Sequence, residues 1–175
     1  MNVRRRSFAP TAWAATASVV GLACVIAAPP ARATGETLAI NGSFTATSNG
    51  QWAQTNEVFH NEATVRSTWT ISTTCANALS CTGTVISDRG WTATIYTTSN
   101  VWYVKRDVPN WEPCANGASA PGHQVYHFYA AAADGTLDPT STTYVGKDET
   151  SGPSGACGKN LPLVISLPFK LVKIA

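Results

Sequence analysis

Two histidines four residues apart are the first feature of the sequence that could do chemistry. His123 and His127 lie in the stretch P-G-H-Q-V-Y-H-F-Y. On a helix this spacing would let both imidazoles bind one metal ion. The Val, Tyr and Phe residues around them favour a strand, on which residues i and i+4 lie about 13 Å apart. Two rings that far apart cannot share a metal ion, so we predict neither a metal site nor a cofactor.

A histidine and a carboxylate are better spaced at His60 and Glu62. Residues i and i+2 of a strand share one face about 6.6 Å apart. A secreted hydrolase that uses His60 or His123 with a nearby carboxylate is therefore one functional hypothesis. The sequence marks no nucleophile for it, because it contains neither G-x-S-x-G nor H-E-x-x-H. We therefore predict no catalytic residue and prefer a non-catalytic function.

Five tryptophans follow residue 33. Trp69 and Trp91 lie in alternating apolar patterns and are predicted to be core residues. Trp52 and Trp111 fall in or beside loops, where an exposed ring can stack on a sugar or an apolar ligand. With His123, these two form the predicted ligand-binding residues. Packing of Trp111 against a disulfide is the alternative, because a cysteine follows three residues later.

Four cysteines also follow residue 33: Cys75, Cys81, Cys114 and Cys157. An even number of cysteines in an exported chain predicts two disulfides, for which three connectivities exist. Cys75 ends one strand-like run and Cys81 begins the next, so a bridge between them would close a hairpin. Cys114 and Cys157 then pair by exclusion and join two loops rich in glycine and proline.

The first 33 residues predict a signal peptide. Three arginines at positions 4–6 precede a long apolar run, and A-R-A ends in a cleavage site between Ala33 and Thr34. The general secretory route is favoured over the twin-arginine route, whose signal the stretch R-R-S-F matches only in part. We predict that residues 1–33 are removed and that no transmembrane segment is retained. Residues 34–175 would then be secreted, either extracellular or associated with the cell wall.

Removal of this segment changes the charge of the chain. Four of the twelve Lys and Arg residues and none of the ten acids lie in it, which leaves eight basic and ten acidic side chains, a net charge of −2. A mildly acidic chain offers no basic patch to phosphates, so nucleic acid is not an expected partner. We expect a cell-wall, lipid or host ligand instead.

Alternation of apolar and polar residues dominates the rest of the sequence. The clearest run is A-T-V-R-S-T-W-T-I-S from Ala63, in which the odd positions are apolar or small. Pro168 predicts that the last strand bulges or lies at a sheet edge. Only residues 56–63 would admit a helical turn. Seven to nine short strands with turn signals between them predict a single all-β domain, either an antiparallel β-barrel or a β-sandwich.

Three stretches of the sequence resemble a group of exported proteins. They are V-P-N-W-E-P-C-A-N-G-x-x-A-P-G-H-Q-x-Y, S-G-P-S-G-A-C-G and P-F-K-L-V-K-I. With them the chain resembles small secreted actinobacterial, especially mycobacterial, proteins of unknown function. The resemblance implies export and a fold around the four cysteines, and it carries over no catalytic residue.

We therefore predict a non-catalytic extracellular binding or surface-interaction module. Its ligand would occupy a barrel mouth or loop rim near Trp52 and Trp111, because closed β architectures bind ligands in such concave places. The alternatives are the hydrolase described above and a structural secreted protein without a pocket.

Overall fold

The computed structural model describes residues 38–174 as an all-β domain, as predicted. The predicted signal peptide and its cleavage site between Ala33 and Thr34 lie outside the described residues. Within residues 38–174 no helix combines the length and the apolar character needed to cross a membrane. The ten strands are β1 (Gly42–Ser48), β2 (Gln54–Thr55), β3 (Val58–Phe59), β4 (Val65–Asn77), β5 (Ser80–Ser87), β6 (Trp91–Thr98), β7 (Val101–Pro113), β8 (Ser119–Ala130), β9 (Thr143–Ser151) and β10 (Val164–Lys173).

Eight of these strands close into an antiparallel barrel. They follow the order β1-β4-β5-β6-β7-β8-β9-β10, and β1 pairs again with β10. Phe44 of β1 lies opposite Trp69 on one side and opposite Lys173 on the other. The short β2–β3 hairpin is attached to the beginning of β10. Of the two predicted architectures, the barrel is therefore the correct one, and closure removes the unpaired edges that an open sheet would expose.

The core lies inside the barrel and is centred on Trp69, which is 1% exposed. Its ring centroid lies 5.3 Å from that of Trp91, 4.9 Å from that of Tyr126 and 5.2 Å from that of Phe169. The contacts with Trp91 and Tyr126 are edge-to-face, a favourable arrangement of aromatic rings. Trp69 is thus a core residue, as predicted, and the half-buried Trp91 packs against it. The other large, fully buried side chains are Phe44, Ile71, Val85, Ile95, Val104, Phe128 and Leu171.

Both disulfides form as predicted. Cys75 and Cys81 lie opposite each other and close the β4–β5 hairpin. The bridge between Cys114 and Cys157 joins the β7–β8 hairpin to the loop that connects β9 with β10. In the chain-entropy model the short loop contributes about 2.4 kcal/mol and the long one about 4 kcal/mol.

The prediction for Pro168 is wrong. β10 is paired on both sides, and its pairing with β9 runs without a register shift. The carbonyl of Pro168 accepts a hydrogen bond from the backbone N–H of Asn49, just after β1 ends. The N–H and C=O groups of one strand residue point to the same side of the strand. The ring nitrogen of Pro168, which carries no hydrogen, therefore points to the side on which β1 has ended and β2 pairs only with Ile165 and Ser166. No hydrogen bond between strands is lost there.

The prediction of a helical turn within residues 56–63 is also wrong. Asn56 and Glu57 both have positive φ angles, 46° and 66°, and turn the chain between β2 and β3. Consecutive positive φ angles suit the twist of a two-residue hairpin loop. One 3₁₀ turn lies earlier, at Gly50–Trp52, where the side chain of Asn49 accepts a hydrogen bond from the backbone N–H of Gln51. A further 3₁₀ turn lies at Ala156–Gly158.

Replacement of Trp69 by alanine tests the packing of the core. We expect Trp69→Ala to lower the free energy of unfolding by about 3–5 kcal/mol, because the indole fills the centre of the barrel and leaves a cavity. Urea denaturation of the two proteins measures the difference. Trp52→Ala is the matched control: Trp52 is 69% exposed, so its loss should change stability by no more than about 0.5 kcal/mol. Equal effects of the two substitutions would contradict a core centred on Trp69.

Candidate functional site

The two ends of the barrel interior differ. At the end where β1, β7 and β9 begin, Leu38, Leu137 and Pro139 line only a small cavity, of about 30 Å³. At the opposite end the interior opens into a cleft of about 340 Å³, which we call the polar mouth. Its lining combines three aromatic rings with six polar or charged side chains: Trp91, Trp111 and Tyr126, and Ser67, Arg89, Arg106, Gln124, Asp148 and Thr150.

Strand alternation carries the polar groups into this mouth. Along β8 the inward positions Phe128 and Tyr126 are followed, in the direction of the mouth, by the polar Gln124. Arg106 of β7 lies opposite Gln124, and Asp148 of β9 lies opposite Tyr126. The inward rows of these three strands are therefore apolar near the centre of the barrel and polar towards its open end.

A chain of hydrogen bonds connects four strands at the bottom of the mouth. Arg106 Nε donates to Gln124 Oε1 at 2.7 Å, and Gln124 Nε2 donates to Asp148 Oδ1 at 2.8 Å. Ser48 Oγ of β1 donates to the other carboxylate oxygen, Oδ2, at 2.6 Å. Arginine can only donate, so it fixes the orientation of the Gln124 amide, which in turn presents its NH₂ group to Asp148.

Arg106 is also held by an aromatic ring. Its guanidinium carbon lies 4.6 Å from the centroid of the Trp91 ring, within the range of a cation–π contact. Trp91 in turn stacks on Tyr126 with a centroid distance of 6.3 Å and an interplanar angle of 16°. The guanidinium is thus fixed by both a hydrogen bond and a stacking contact before any ligand binds.

Burial controls the ionisation of the two titratable groups deepest in the mouth. It raises the pKa of Asp148, which is 3% exposed, while the hydrogen bonds from Ser48 and Gln124 and the charge of Arg106 lower that pKa by less. Burial also raises the pKa of Tyr126, and the negative charge of Asp148 raises it further. Tyr126 therefore keeps its proton and can donate a hydrogen bond at any physiological pH.

The three residues predicted to bind a ligand do not form one site. Trp111 lines the polar mouth, where its indole lies over Gly122 and Gly152; a side chain at Gly122 would collide with the ring. Trp52 lies on the Gly50–Trp52 turn, outside the residues that line the mouth. His123 is on the outer face of β8, beside a separate cleft of about 340 Å³. A ligand-binding role for each of them stays a prediction.

Each of the histidines considered for catalysis forms a pair with a carboxylate on the surface. The distance from Nδ1 to the carboxylate oxygen is 2.9 Å for His60 and Glu62, and 3.0 Å for His123 and Asp107. The side chains of His123 and Asp107 are 53% and 84% exposed, so solvent weakens the interaction between them. His123 and His127 lie on a strand, as predicted. No cluster of three His, Cys, Asp or Glu side chains within the described part of the chain could hold a metal ion.

Comparison with known proteins relates the fold to a sensor domain. No protein-family model matches the sequence, and no curated protein matches it. Among solved structures, the chain is similar to the monomer form of the M. tuberculosis PknI sensor domain, with a TM-score of 0.56 and 11% sequence identity over 78% of this chain and 88% of that one. At this identity the similarity concerns the fold. The neighbour is a mycobacterial domain, in keeping with the resemblance noted in the sequence.

The raised pKa of Asp148 predicts a pH-dependent stability. A pKa that is higher in the folded than in the unfolded state means that folding favours the protonated carboxyl group. The stability that Asp148 contributes is therefore complete below about pH 4 and is lost as the pH rises through the pKa of the folded state. Asp148→Asn should remove this loss. We therefore expect the stability of the variant relative to the wild type to increase between pH 4 and pH 7, as measured by urea denaturation.

Asp134→Asn provides a control of opposite sign. Hydrogen bonds from Thr136 lower the pKa of the exposed Asp134, so its contribution is present at neutral pH and lost as the pH falls. Because this loss occurs below the ordinary Asp pKa of about 4, the relative stability of this variant should decrease as the pH rises from about 2 to about 4 and should change little between pH 4 and pH 7. Parallel curves for Asp148→Asn and the wild type would contradict the assignment of a raised pKa to Asp148.

Proposed function

We propose that the chain is an exported, non-catalytic binding module whose ligand occupies the polar mouth. The observation that carries this proposal is the difference between the barrel ends. One end leaves only a small cavity, whereas the other presents aromatic faces and hydrogen-bonding groups around an open cleft. A concave site with apolar walls and a few converging polar groups is the usual form of a small-molecule site.

The mouth is organised before a ligand arrives, which favours binding. The Arg106–Gln124–Asp148 chain fixes side chains that would otherwise lose rotamer freedom on binding, and fixed groups lower the entropy loss of association. The volume of about 340 Å³ lies at the small end of the range for ligand sites. A ring-shaped polar ligand, such as a sugar unit of a cell-wall or host glycan, suits such a cleft better than a lipid chain does.

The disulfides and the structural neighbour support an extracellular setting. Disulfides persist in oxidising compartments, and this domain has two. The similar structure is that of a sensor domain, which is in keeping with a binding module. We propose export through the signal peptide predicted over residues 1–33, followed by an extracellular or cell-wall-associated location.

The proposed export predicts the N-terminal residue and the mass of the mature protein. The protein recovered from the medium of a secreting host should begin at Thr34 and weigh four hydrogens less than the reduced sequence, because cleavage follows Ala33 and two disulfides have formed. Intact mass spectrometry with and without reduction measures both quantities. A chain that still carries residues 1–33 would contradict the proposed cleavage.

A secreted hydrolase is the second candidate, and one observation favours it. Asp107, His123 and Ser151 lie side by side on β7, β8 and β9, and all three border the outer cleft. Asp107 contacts His123 Nδ1 as the acid of a catalytic triad does, which would make Ser151 the nucleophile. Labelling of the wild type, and not of Ser151→Ala, by a fluorophosphonate would favour this candidate. The exposure of the pair makes it the weaker of the two.

Ligand binding at the polar mouth can be tested through the tryptophans that line it. Trp91 and Trp111 should change their fluorescence when a soluble cell-wall saccharide or a host glycan binds. Trp111→Ala should weaken binding roughly tenfold or more, because it removes one aromatic wall. Trp52→Ala, at an exposed site outside the mouth, is the control and should bind like the wild type. If only Trp52→Ala lost binding, the ligand site would lie at the loop rim instead. If neither the fluorescence nor the thermal stability of the protein changed with any glycan, lipid or host extract, the proposal would be contradicted.

A further inference from the structure

We propose that the ligand of the polar mouth carries an anionic group, a carboxylate or a phosphate, which Arg106 binds while Arg89 adds positive charge at the rim. This inference rests on the proposed function and names the class of ligand. It follows from the distribution of charge, from the state of the one acid in the mouth and from the geometry of Arg106.

All arginines that follow residue 33 lie at this end of the barrel. The sequence has three there: Arg66, Arg89 and Arg106. Arg89 and Arg106 line the polar mouth, and Arg66 and Arg89 line the adjoining groove of about 560 Å³. Among residues 38–174, no lysine lines either space. Residues 34–175 carry a net charge of −2, so this local concentration of guanidinium groups runs against the charge of the whole chain.

The one acid in the mouth does not neutralise these arginines at the surface. Asp148 is the single carboxylate among the described residues that line the mouth and the groove. It is buried, and its two oxygens already accept hydrogen bonds from Gln124 and Ser48. Burial also raises its pKa, which favours the uncharged form. Asp148 therefore positions Gln124 rather than pairing directly with a guanidinium.

Arg106 has donors left for a ligand. Its Nε is used by Gln124, and its guanidinium carbon is stacked on Trp91. The two terminal nitrogens carry four more N–H donors, one of which the Tyr126 hydroxyl can accept. A carboxylate or phosphate presents two oxygens at the spacing of such a planar fork, and a fork fixed in advance loses little entropy on binding.

The aromatic rings of the mouth indicate what the anionic group is attached to. Trp91, Trp111 and Tyr126 offer flat apolar faces within the same cleft. A sugar ring that bears a carboxylate or a phosphate combines a face for stacking with oxygens for Arg106. The ligand class is therefore an acidic or phosphorylated saccharide unit.

The test compares three probes on the exported protein with both disulfides intact. D-glucuronate offers a ring with a carboxylate, glucose 1-phosphate a ring with a phosphate, and D-glucose a ring alone. Binding is followed by NMR through the indole N–H resonances of Trp91 and Trp111. We expect one or both anionic probes to bind at least roughly tenfold more tightly than glucose. The probe that binds more tightly shows whether the anionic group is a carboxylate or a phosphate.

Matched variants assign the effect to Arg106. Arg106→Gln should abolish the preference for the anionic probe, whereas Lys105→Gln should retain it, because Lys105 is the next residue on β7 and faces outward. Both variants lose one positive charge, so a general effect of net charge would appear in both. Arg106→Lys keeps the charge without the planar fork and should bind several-fold more weakly than the wild type. It supplies a second reading if Arg106→Gln does not fold.

The outcomes separate the two proposals. Binding of glucose as tight as that of the anionic probes would overturn the anionic ligand and leave the polar mouth as a binding site. Anionic probes that bind wild type and Arg106→Gln equally well would also overturn it. Indole resonances that none of the three probes moves would count against both proposals.

Discussion

The pairing of β1 with β10 is the interaction on which the rest of the structure depends. It joins the first and last strands of the sheet and turns an open surface into an interior with two ends. Trp69 then finds aromatic partners on other strands, among them Tyr126 and Phe169. The same closure lets Ser48 of β1 reach Asp148 of β9 across β10, so the hydrogen bond that joins β1 to the polar network of the mouth exists only in the closed barrel. Core and candidate site are therefore products of one long-range pairing.

Strands and disulfides could be predicted from the sequence because they follow local rules. Trp69 and Ile71 lie on the buried face that alternation predicted, and Cys75 lies opposite Cys81 as a short hairpin requires. Barrel closure could not be chosen over a sandwich, because the partners Phe44 and Lys173 lie at opposite ends of the domain and no periodicity relates them. Non-local pairing is a property of the whole sheet, which alternation within single strands does not encode.

The candidate site was only partly predictable, for a related reason. Trp111 could be predicted as a binding residue because it is an aromatic residue beside a loop, and it does line the mouth. Arg106 could not be predicted, because it stands between Lys105 and Asp107, and three charged residues in succession remove the alternation that distinguishes inward from outward positions. Trp111 itself is held by a structure beyond the barrel ring: the extension of β7 and β8, which the Cys114–Cys157 bridge ties to the β9–β10 loop. The disulfide thus supports one wall of the mouth.

The candidate binding site and the candidate catalytic site consist of two adjacent rows of side chains on the same three strands. Asp107, His123 and Ser151 form the outer row. Arg106, Gln124 and Thr150, each the immediate neighbour in sequence of one of these residues, form the inner row. Water surrounds the outer row and weakens every charge interaction in it, whereas the inner row lies against aromatic rings, where the effective dielectric constant is lower. A hydrogen bond of similar length therefore holds its groups more firmly in the inner row. That row alone combines a fixed cation, an oriented amide and aromatic walls in one cleft, and these are the features of a binding site.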